Sequence, residues 1–198
     1  MSTDIIDQLA GLTAGSGAEV LRHQREQARA QSQASYDALF TAPDLTGVSP
    51  TERLAVATFV AALHGSSAAL THYSSRLAAT SSVEIADHVT LLATAAAVAG
   101  PYGRFPAGTD LHDEDAPGPV LHLDPATVTT LGRRLSTAFE HAHLLVFRPR
   151  ESSPEALVAL LDAGWSTAQI VTLSQLVTFL AFQLRVIHGL SALDGELA

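Results

Sequence analysis

Apolar residues recur along most of the chain every three or four positions, the period of an amphipathic α-helix. Capping sequences such as Ser49-Pro50-Thr51-Glu52 mark helix starts. Helix ends are marked by glycines that follow apolar runs, namely Gly65, Gly100, Gly164 and Gly189. The pattern predicts helices near residues 4–12, 17–40, 50–64, 66–79, 82–99, 125–146, 154–163 and 167–188. No segment keeps the period of two that a half-buried strand requires, so the predicted fold is an all-α bundle of about eight helices.

Two of the predicted helices are apolar around nearly their whole circumference. Between Leu54 and Leu63 only Thr58 is polar, and Ile170 to Ile187 carries bulky apolar side chains on every face. A helix of this kind is buried on most of its sides. Two of them in a chain of 198 residues favour a homo-oligomer whose subunits cover each other. The alternative is a monomer with one enclosed central helix.

We expect one domain with four parts. These are an N-terminal helical arm over 1–48, a core hairpin region over 49–99, a loop rich in proline and glycine over 100–124 and a C-terminal helical repeat over 125–198. Arg22 to Ser35 has no large apolar side chain and is interpreted as a solvated helix, or as an arm whose alanines pack on a neighbour. The loop is interpreted as a lid, an inter-subunit strap or a surface excursion.

Composition excludes several kinds of chemistry. The chain has no cysteine, its eleven basic residues are all arginines, and its formal net charge is −9. Thiolate nucleophiles, disulfides, iron–sulfur clusters, Schiff-base lysines and phosphate-loop lysines are therefore excluded. The negative charge argues against nucleic acid as a partner.

Targeting and membrane signals are absent from the sequence pattern. Residues 1–7 carry two aspartates and no basic residue, unlike the start of a signal peptide. Polar residues interrupt Ile170 to Ile187 six times, which is more than a membrane span normally carries. We therefore expect a cytoplasmic protein that does not bind a membrane.

The nine histidines do not form a pattern typical of a metal site. His141 and His143 are two positions apart, which places them on different faces of a helix. The acidic run from His112 to Asp115 lies in the proline- and glycine-rich loop, where such runs are usually solvated. We expect neither a metal ion nor another cofactor.

The best candidate site is the helical hairpin from Thr51 to Ala79. It gathers His64, His72 and Tyr73 around the junction of two helices. Histidine is suited to proton transfer near neutral pH, although a histidine on an apolar helix is more often a satisfied structural group. Arg53 and Arg76 flank the segment and are suited to bind a carboxylate, unless they are merely surface charges.

This hairpin resembles the core motif of the alkylhydroperoxidase D / carboxymuconolactone decarboxylase-like family. In that motif a buried helix opened by a Glu-Arg or Arg-Glu pair runs into a turn. A Cys-x-x-Cys and a histidine follow on the next helix. Here Glu52-Arg53 stands at the opening and His64-Gly65 at the turn. Ser66 and Ala69 take the places of the cysteines, and His72-Tyr73 lies near the family histidine.

The C-terminal part, Ala156 to Leu190, is similar to the closing repeat of the peroxidase-related members of that family. The resemblance implies an all-helical homo-oligomer, a trimer, dimer or hexamer. Family peroxidases attack the peroxide with a thiolate and resolve the sulfenic acid with a second thiol. Because this chain has no cysteine, it is not itself a thiol peroxidase.

Three functions agree with the residues and with the resemblance. The first is a non-catalytic or accessory protein that binds a small molecule or a partner in a peroxide-defence or small-molecule pathway. The second is a cofactor-free acid–base enzyme, of decarboxylase or lactone chemistry, acting on a small carboxylate. Its acid–base candidates are His72, His64 and Glu52, and its candidate pocket residues are Arg53, Ser66, Ala69 and Tyr73. The third is a scaffold that pairs with a cysteine-bearing paralogue.

Overall fold

The computed structural model describes residues 4–42, 45 and 47–197, without the side chain of Leu197. Residues 1–3, used in the targeting argument, lie outside this part. The described residues form ten α-helices, two 3₁₀ turns and no strand. The helices are α1 Ile5–Ala10, α2 Gly17–His23, α3 Glu26–Phe40, α4 Pro50–Leu63, α5 Ser67–Thr80, α6 Val83–Ala96, α7 Pro125–Leu131, α8 Arg133–Phe147, α9 Pro154–Asp162 and α10 Thr167–Leu197. The all-α prediction is confirmed.

Two predicted helices are each divided in two. The helix predicted over 17–40 is interrupted at Gln24-Arg25, between α2 and α3. The helix predicted over 125–146 is interrupted at Gly132, whose φ of 79° is a left-handed value that glycine adopts without steric cost. The chain therefore turns between α7 and α8, and the count of helices rises from eight to ten.

Gly189 and Gly100 do not end helices as predicted. α10 continues past Gly189 to Leu197, and the Ser191 hydroxyl donates to the Ala10 carbonyl at 3.0 Å on the way. A glycine inside a helix costs only about 1 kcal/mol, which tertiary contacts of this kind offset. α6 ends at Ala96, because Ala97 is already extended.

α4 is the central helix of the fold. Every residue from Arg53 to Leu63 is buried, and α5, α6, α8 and α10 surround the helix. The Thr58 hydroxyl donates to the Leu54 carbonyl at 2.8 Å, so the one polar side chain in the apolar run is satisfied within the helix. Phe59 stacks on Phe139 of α8 with ring centroids 4.5 Å apart. The burial predicted for this helix is confirmed, and it is reached within one chain.

α10 is buried on one side and uncovered on the other. Leu173, Leu176 and Leu180 are fully buried, whereas Val171 and Phe182 are 53% and 47% exposed. The prediction of burial on every face therefore holds for only part of this helix. Within the described residues α10 is also the one helix with the length and hydropathy of a membrane span, and half of the relevant window is buried inside the fold.

The N-terminal arm is tied together by ion pairs. Arg22 is nearly buried and contacts the carboxylates of Asp4 and Asp7, and Arg29 donates to Asp7 at 3.0 Å. Ser32 is buried as well and donates to its own helix. The interpretation of Arg22 to Ser35 as a solvated helix therefore holds only for its outward positions.

The loop over 100–124 folds back on itself and rests on the end of α8. The amide of Gly103 donates to the Ala116 carbonyl at 2.7 Å, and the amide of Tyr102 donates to the Phe147 carbonyl at 2.6 Å. Arg150 lies over the Phe105 ring at 3.9 Å. These contacts hold the loop against the segment that follows α8.

Candidate functional site

The junction between α4 and α5 is shaped by a glycine turn. The amide of Ser66 donates to the Ala61 carbonyl at 3.2 Å and the amide of Gly65 to the Ala62 carbonyl at 3.0 Å, the two bonds of a Schellman ending. This ending needs a left-handed residue, and Gly65 has a φ of 65°. The turn thus ends α4 at His64 and lets α5 begin at Ser67.

A cavity of about 530 Å³ opens at this turn, and we call it the junction pocket. α1, the α4–α5 turn and α10 build its walls. Its lining residues are Leu9, His64, Gly65, Ser66, Ser67, Ala68, Leu184, Arg185, Ile187, His188, Gly189 and Ser191. None of them is acidic, although the chain has 20 aspartates and glutamates against 11 arginines. The junction pocket is therefore a positively charged region of an acidic protein.

His64 lines this pocket, and one of its two ring nitrogens is hydrogen bonded to the backbone. Its Nδ1 lies 2.9 Å from the Val60 carbonyl, and because a carbonyl only accepts, Nδ1 carries the proton. Burial lowers the pKa of His64 below its ordinary value, and nearby Arg185 lowers it further, against the effect of the Val60 hydrogen bond. At neutral pH the ring is therefore neutral, and Nε2 is its remaining acceptor.

The start of α5 supplies hydrogen-bond donors to the same pocket. Ser66, the residue before the helix, makes no side-chain cap. The amides of Ser67 and Ala68, which line the pocket, have no partner among the described residues, as expected for an uncapped first turn. These amides and the exposed guanidinium of Arg185 suit an anion.

His72 lies outside the junction pocket, in a chain of hydrogen bonds. Its Nε2 lies 2.9 Å from the Tyr36 hydroxyl, which also accepts a hydrogen bond from Arg76. Burial lowers the pKa of His72 to about 4, with a further contribution from the charge of Arg76. His72 is therefore neutral at physiological pH and lies on the side of α5 that faces α3.

Tyr73 and Ala69 are part of the core. Both are fully buried, and the Tyr73 hydroxyl donates to the side-chain oxygen of Gln183 at 2.6 Å. Burial raises the pKa of Tyr73 far above its ordinary value. The two residues fill the space between α5 and α10, and neither lines the junction pocket.

Glu52 lies at the opposite end of α4 from His64, about 18 Å along the helix axis. It completes a capping box with Ser49 and accepts a hydrogen bond from Arg134 at 2.6 Å. These hydrogen bonds lower the pKa of Glu52 below its ordinary value, although burial alone would raise it. The structure thus gives this carboxylate a structural partner and does not bring it near His64.

Arg53 is buried at the start of α4 and is not a surface charge. Its Nε donates to the Val48 carbonyl at 2.9 Å and its Nη1 to the Leu39 carbonyl at 3.2 Å. The predicted site residues are thus divided among several places, and only His64 and Ser66 share the junction pocket.

Sequence reasoning missed two residues of the pocket, Arg185 and His188. They stand three positions apart near the end of α10, where they interrupt an apolar helix. Arg185 was used in the sequence analysis only to argue against a membrane span, and His188 was not used. Their approach to His64 depends on how α10 packs, which the local sequence does not reveal.

The described residues contain no cluster of three or more histidine, aspartate or glutamate side chains placed to hold a metal ion. His141 lies 3.0 Å from the Ser174 hydroxyl, and His143 lies 3.2 Å from the Ala96 carbonyl. The two histidines thus serve different contacts, as their spacing predicts.

Fold and pocket together define an all-α protein with a cationic cavity at a helix junction. Comparison with known protein families, with curated proteins and with solved structures finds no match for the chain.

Proposed function

We propose that this protein binds a small organic anion in the junction pocket and does not transform it. The observation that carries the proposal is the charge of Arg185 in a lining without an acidic residue, in a chain of net charge −9. Unpaired amides at the start of α5 add donors that only an acceptor satisfies. Such donors favour an anion over a neutral or cationic ligand.

The shape of the pocket supports a carboxylate with an apolar body. The lining includes the apolar side chains of Leu9 on α1 and of Leu184 and Ile187 on α10. A volume of about 530 Å³ is within the range of pockets that enclose small ligands. The apolar side chains would bury the body of the ligand while its carboxylate meets Arg185.

The family resemblance agrees with a binding role and remains a proposal. If the hairpin corresponds to the family motif, Ser66 and Ala69 occupy the cysteine positions, and thiol chemistry has been lost. A homo-oligomer, whether trimer, dimer or hexamer, is part of the same proposal, and exposed Val171 and Phe182 on α10 support it. Pairing with a cysteine-bearing paralogue and a cytoplasmic location stay predictions.

Replacing Arg185 by glutamine is expected to weaken the binding of hexanoate by about tenfold, because one charge-assisted hydrogen bond contributes about 1.5 kcal/mol or more. Isothermal titration calorimetry at pH 7 and low salt measures the affinity. Arg133→Gln is the matched control, since Arg133 is also exposed but does not line the pocket. Hexanamide, the neutral analogue, should bind much more weakly. Equal affinity for hexanamide, or an Arg185→Gln protein that binds as tightly as the parent, would contradict the proposal.

A second function, cofactor-free acid–base catalysis, is favoured by the geometry of His64. Its neutral ring and its Nδ1 bond to Val60 leave Nε2 as a base beside a cationic group, Arg185. We expect such a base to speed the exchange of protons next to the ketone of levulinate in D₂O, measured by proton NMR. His64→Gln should abolish that acceleration while hexanoate binding is retained. If the protein does not speed the proton exchange of levulinate beyond its rate in buffer, catalysis is rejected and anion binding is the proposed function.

A further inference from the structure

A second pocket, of about 230 Å³, lies at the opposite end of α4 and contains two arginines. We call it the arginine pocket. It is formed by the end of α3, the start of α4 and the end of α5. Its lining includes Phe40, Pro50, Arg53, Leu54, Arg76 and Ala79. The walls are apolar apart from the two guanidiniums and one hydroxyl, and no described lining residue is acidic.

Arg53 is held in place by neutral acceptors. Two of its nitrogens donate to the carbonyls of Val48 and Leu39, and only 6% of the residue is exposed. Burial lowers the pKa of Arg53, although Glu52 acts in the opposite direction. Glu52 itself is engaged by Arg134. Within the described part of the chain the hydrogen-bond partners of Arg53 are therefore neutral. A buried cation of this kind is costly, and a bound anion reduces that cost.

Arg76 is oriented by contacts with neutral groups among the described residues. It donates to the Tyr36 hydroxyl and to the Phe40 carbonyl, and its guanidinium lies 5.7 Å from the centre of the Phe40 ring. These contacts hold the guanidinium at the pocket before any ligand arrives. A preorganised donor group binds its ligand with a smaller loss of entropy.

We propose that the arginine pocket binds a small aromatic carboxylate, with Arg53 and Arg76 on the carboxylate and Phe40, Pro50 and Leu54 against the ring. The planar guanidinium matches a carboxylate with two parallel hydrogen bonds, and apolar walls suit a flat ring. The volume lies below the ~300 Å³ at which pockets for drug-sized ligands begin, so the ligand is limited to roughly one ring. This pocket is smaller than the junction pocket, about 230 Å³ against about 530 Å³, and its ligand is proposed separately from the anion of the junction pocket.

The test uses 4-fluorobenzoate as the probe and follows its ¹⁹F NMR line width with the full-length protein at pH 7. We expect saturable broadening with 4-fluorobenzoate and little with 4-fluorobenzamide, which has the same shape without the charge. Arg76→Gln should weaken binding by about tenfold, since it removes one charged partner. Ala79→Trp, at an exposed position on the pocket wall, should block binding by filling the space.

Arg185→Gln is the control that separates the two pockets, because it alters only the junction pocket. Binding of 4-fluorobenzoate should be unchanged in that variant. The proposal is overturned if the ¹⁹F signal of 4-fluorobenzamide broadens as much as that of 4-fluorobenzoate, or if folded Ala79→Trp binds like the parent. It is also overturned if Arg185→Gln abolishes binding, because the probe then binds in the junction pocket. Circular dichroism establishes that each variant is folded before it is scored.

Discussion

Replacing Arg134 by methionine is expected to lower the free energy of unfolding by about 3 kcal/mol. Arg134 joins α8 to the start of α4 and to the turn before α10. Its guanidinium donates to the carboxylate of Glu52, the carbonyls of Gly47 and Gly164 and the side chain of Gln169. It also lies over the Trp165 ring at 3.7 Å. Each hydrogen bond contributes a net stabilisation of about 1 kcal/mol, and the contact with the Trp165 ring contributes about as much. The total is reduced to about 3 kcal/mol because the side chain is partly exposed.

Urea unfolding of the two proteins at pH 7 measures this difference. Methionine keeps the apolar length of arginine, so the loss reports the guanidinium. Arg133→Met, one position away and exposed, should change the unfolding free energy by less than about 0.5 kcal/mol. A loss for Arg134→Met no larger than that of the control would show that the guanidinium does not hold these elements together.

The second large effect is a loss of stability in acid that depends on His72. Its pKa is about 4 in the folded protein, against an ordinary value of 6.5. As the pH falls below 6.5, the unfolded chain takes up a proton at His72 while the folded protein does not, so stability decreases until the pH reaches about 4. One pKa unit corresponds to about 1.4 kcal/mol, and after a discount for partial exposure we expect His72 to account for about 2 kcal/mol.

The variant His72→Gln isolates this contribution, because glutamine does not titrate and can still hydrogen bond to Tyr36. We compare the free energy of unfolding at pH 7.5 and pH 4.5 for both proteins. The decrease on acidification should be about 2 kcal/mol smaller in His72→Gln than in the parent. Ser75→Gln, at an exposed position of the same helix, should leave the decrease unchanged. Identical decreases in the parent and in His72→Gln would mean that the pKa of His72 is the same in the folded and the unfolded protein.

The sequence predicted the central helix and its caps well. The run from Leu54 to Leu63 is apolar on every face, and such a helix has no stable position except the interior. The capping box of Ser49 and Glu52 is formed as its motif predicts. Helix ends were harder to predict. Gly189 has the local signal of a stop, but α10 continues past it, and Ser191 contacts Ala10, which lies far away in sequence.

The candidate site was predicted only where neighbours in sequence remain neighbours in space. His64 and Ser66 flank one turn and share the junction pocket. His72 lies about 9 Å further along α5, where it meets Tyr36. Arg185 and His188 come from α10, and their contact with the turn is set by tertiary packing. Arg53 and Arg76 do share a pocket, but that pocket is separate from the histidines of the junction.

Binding of a small organic anion in the junction pocket can be observed directly by an NMR titration. Hexanoate is added to ¹⁵N-labelled protein at pH 7, and the backbone amides are followed. We expect saturable shifts of the amide signals of Ser67 and Ala68, the unpaired donors that line the pocket, and we expect these shifts to be lost in Arg185→Gln and absent with hexanamide. The proposed binding is contradicted if the amide signals of this turn do not shift at saturating hexanoate, or if they shift equally with hexanamide.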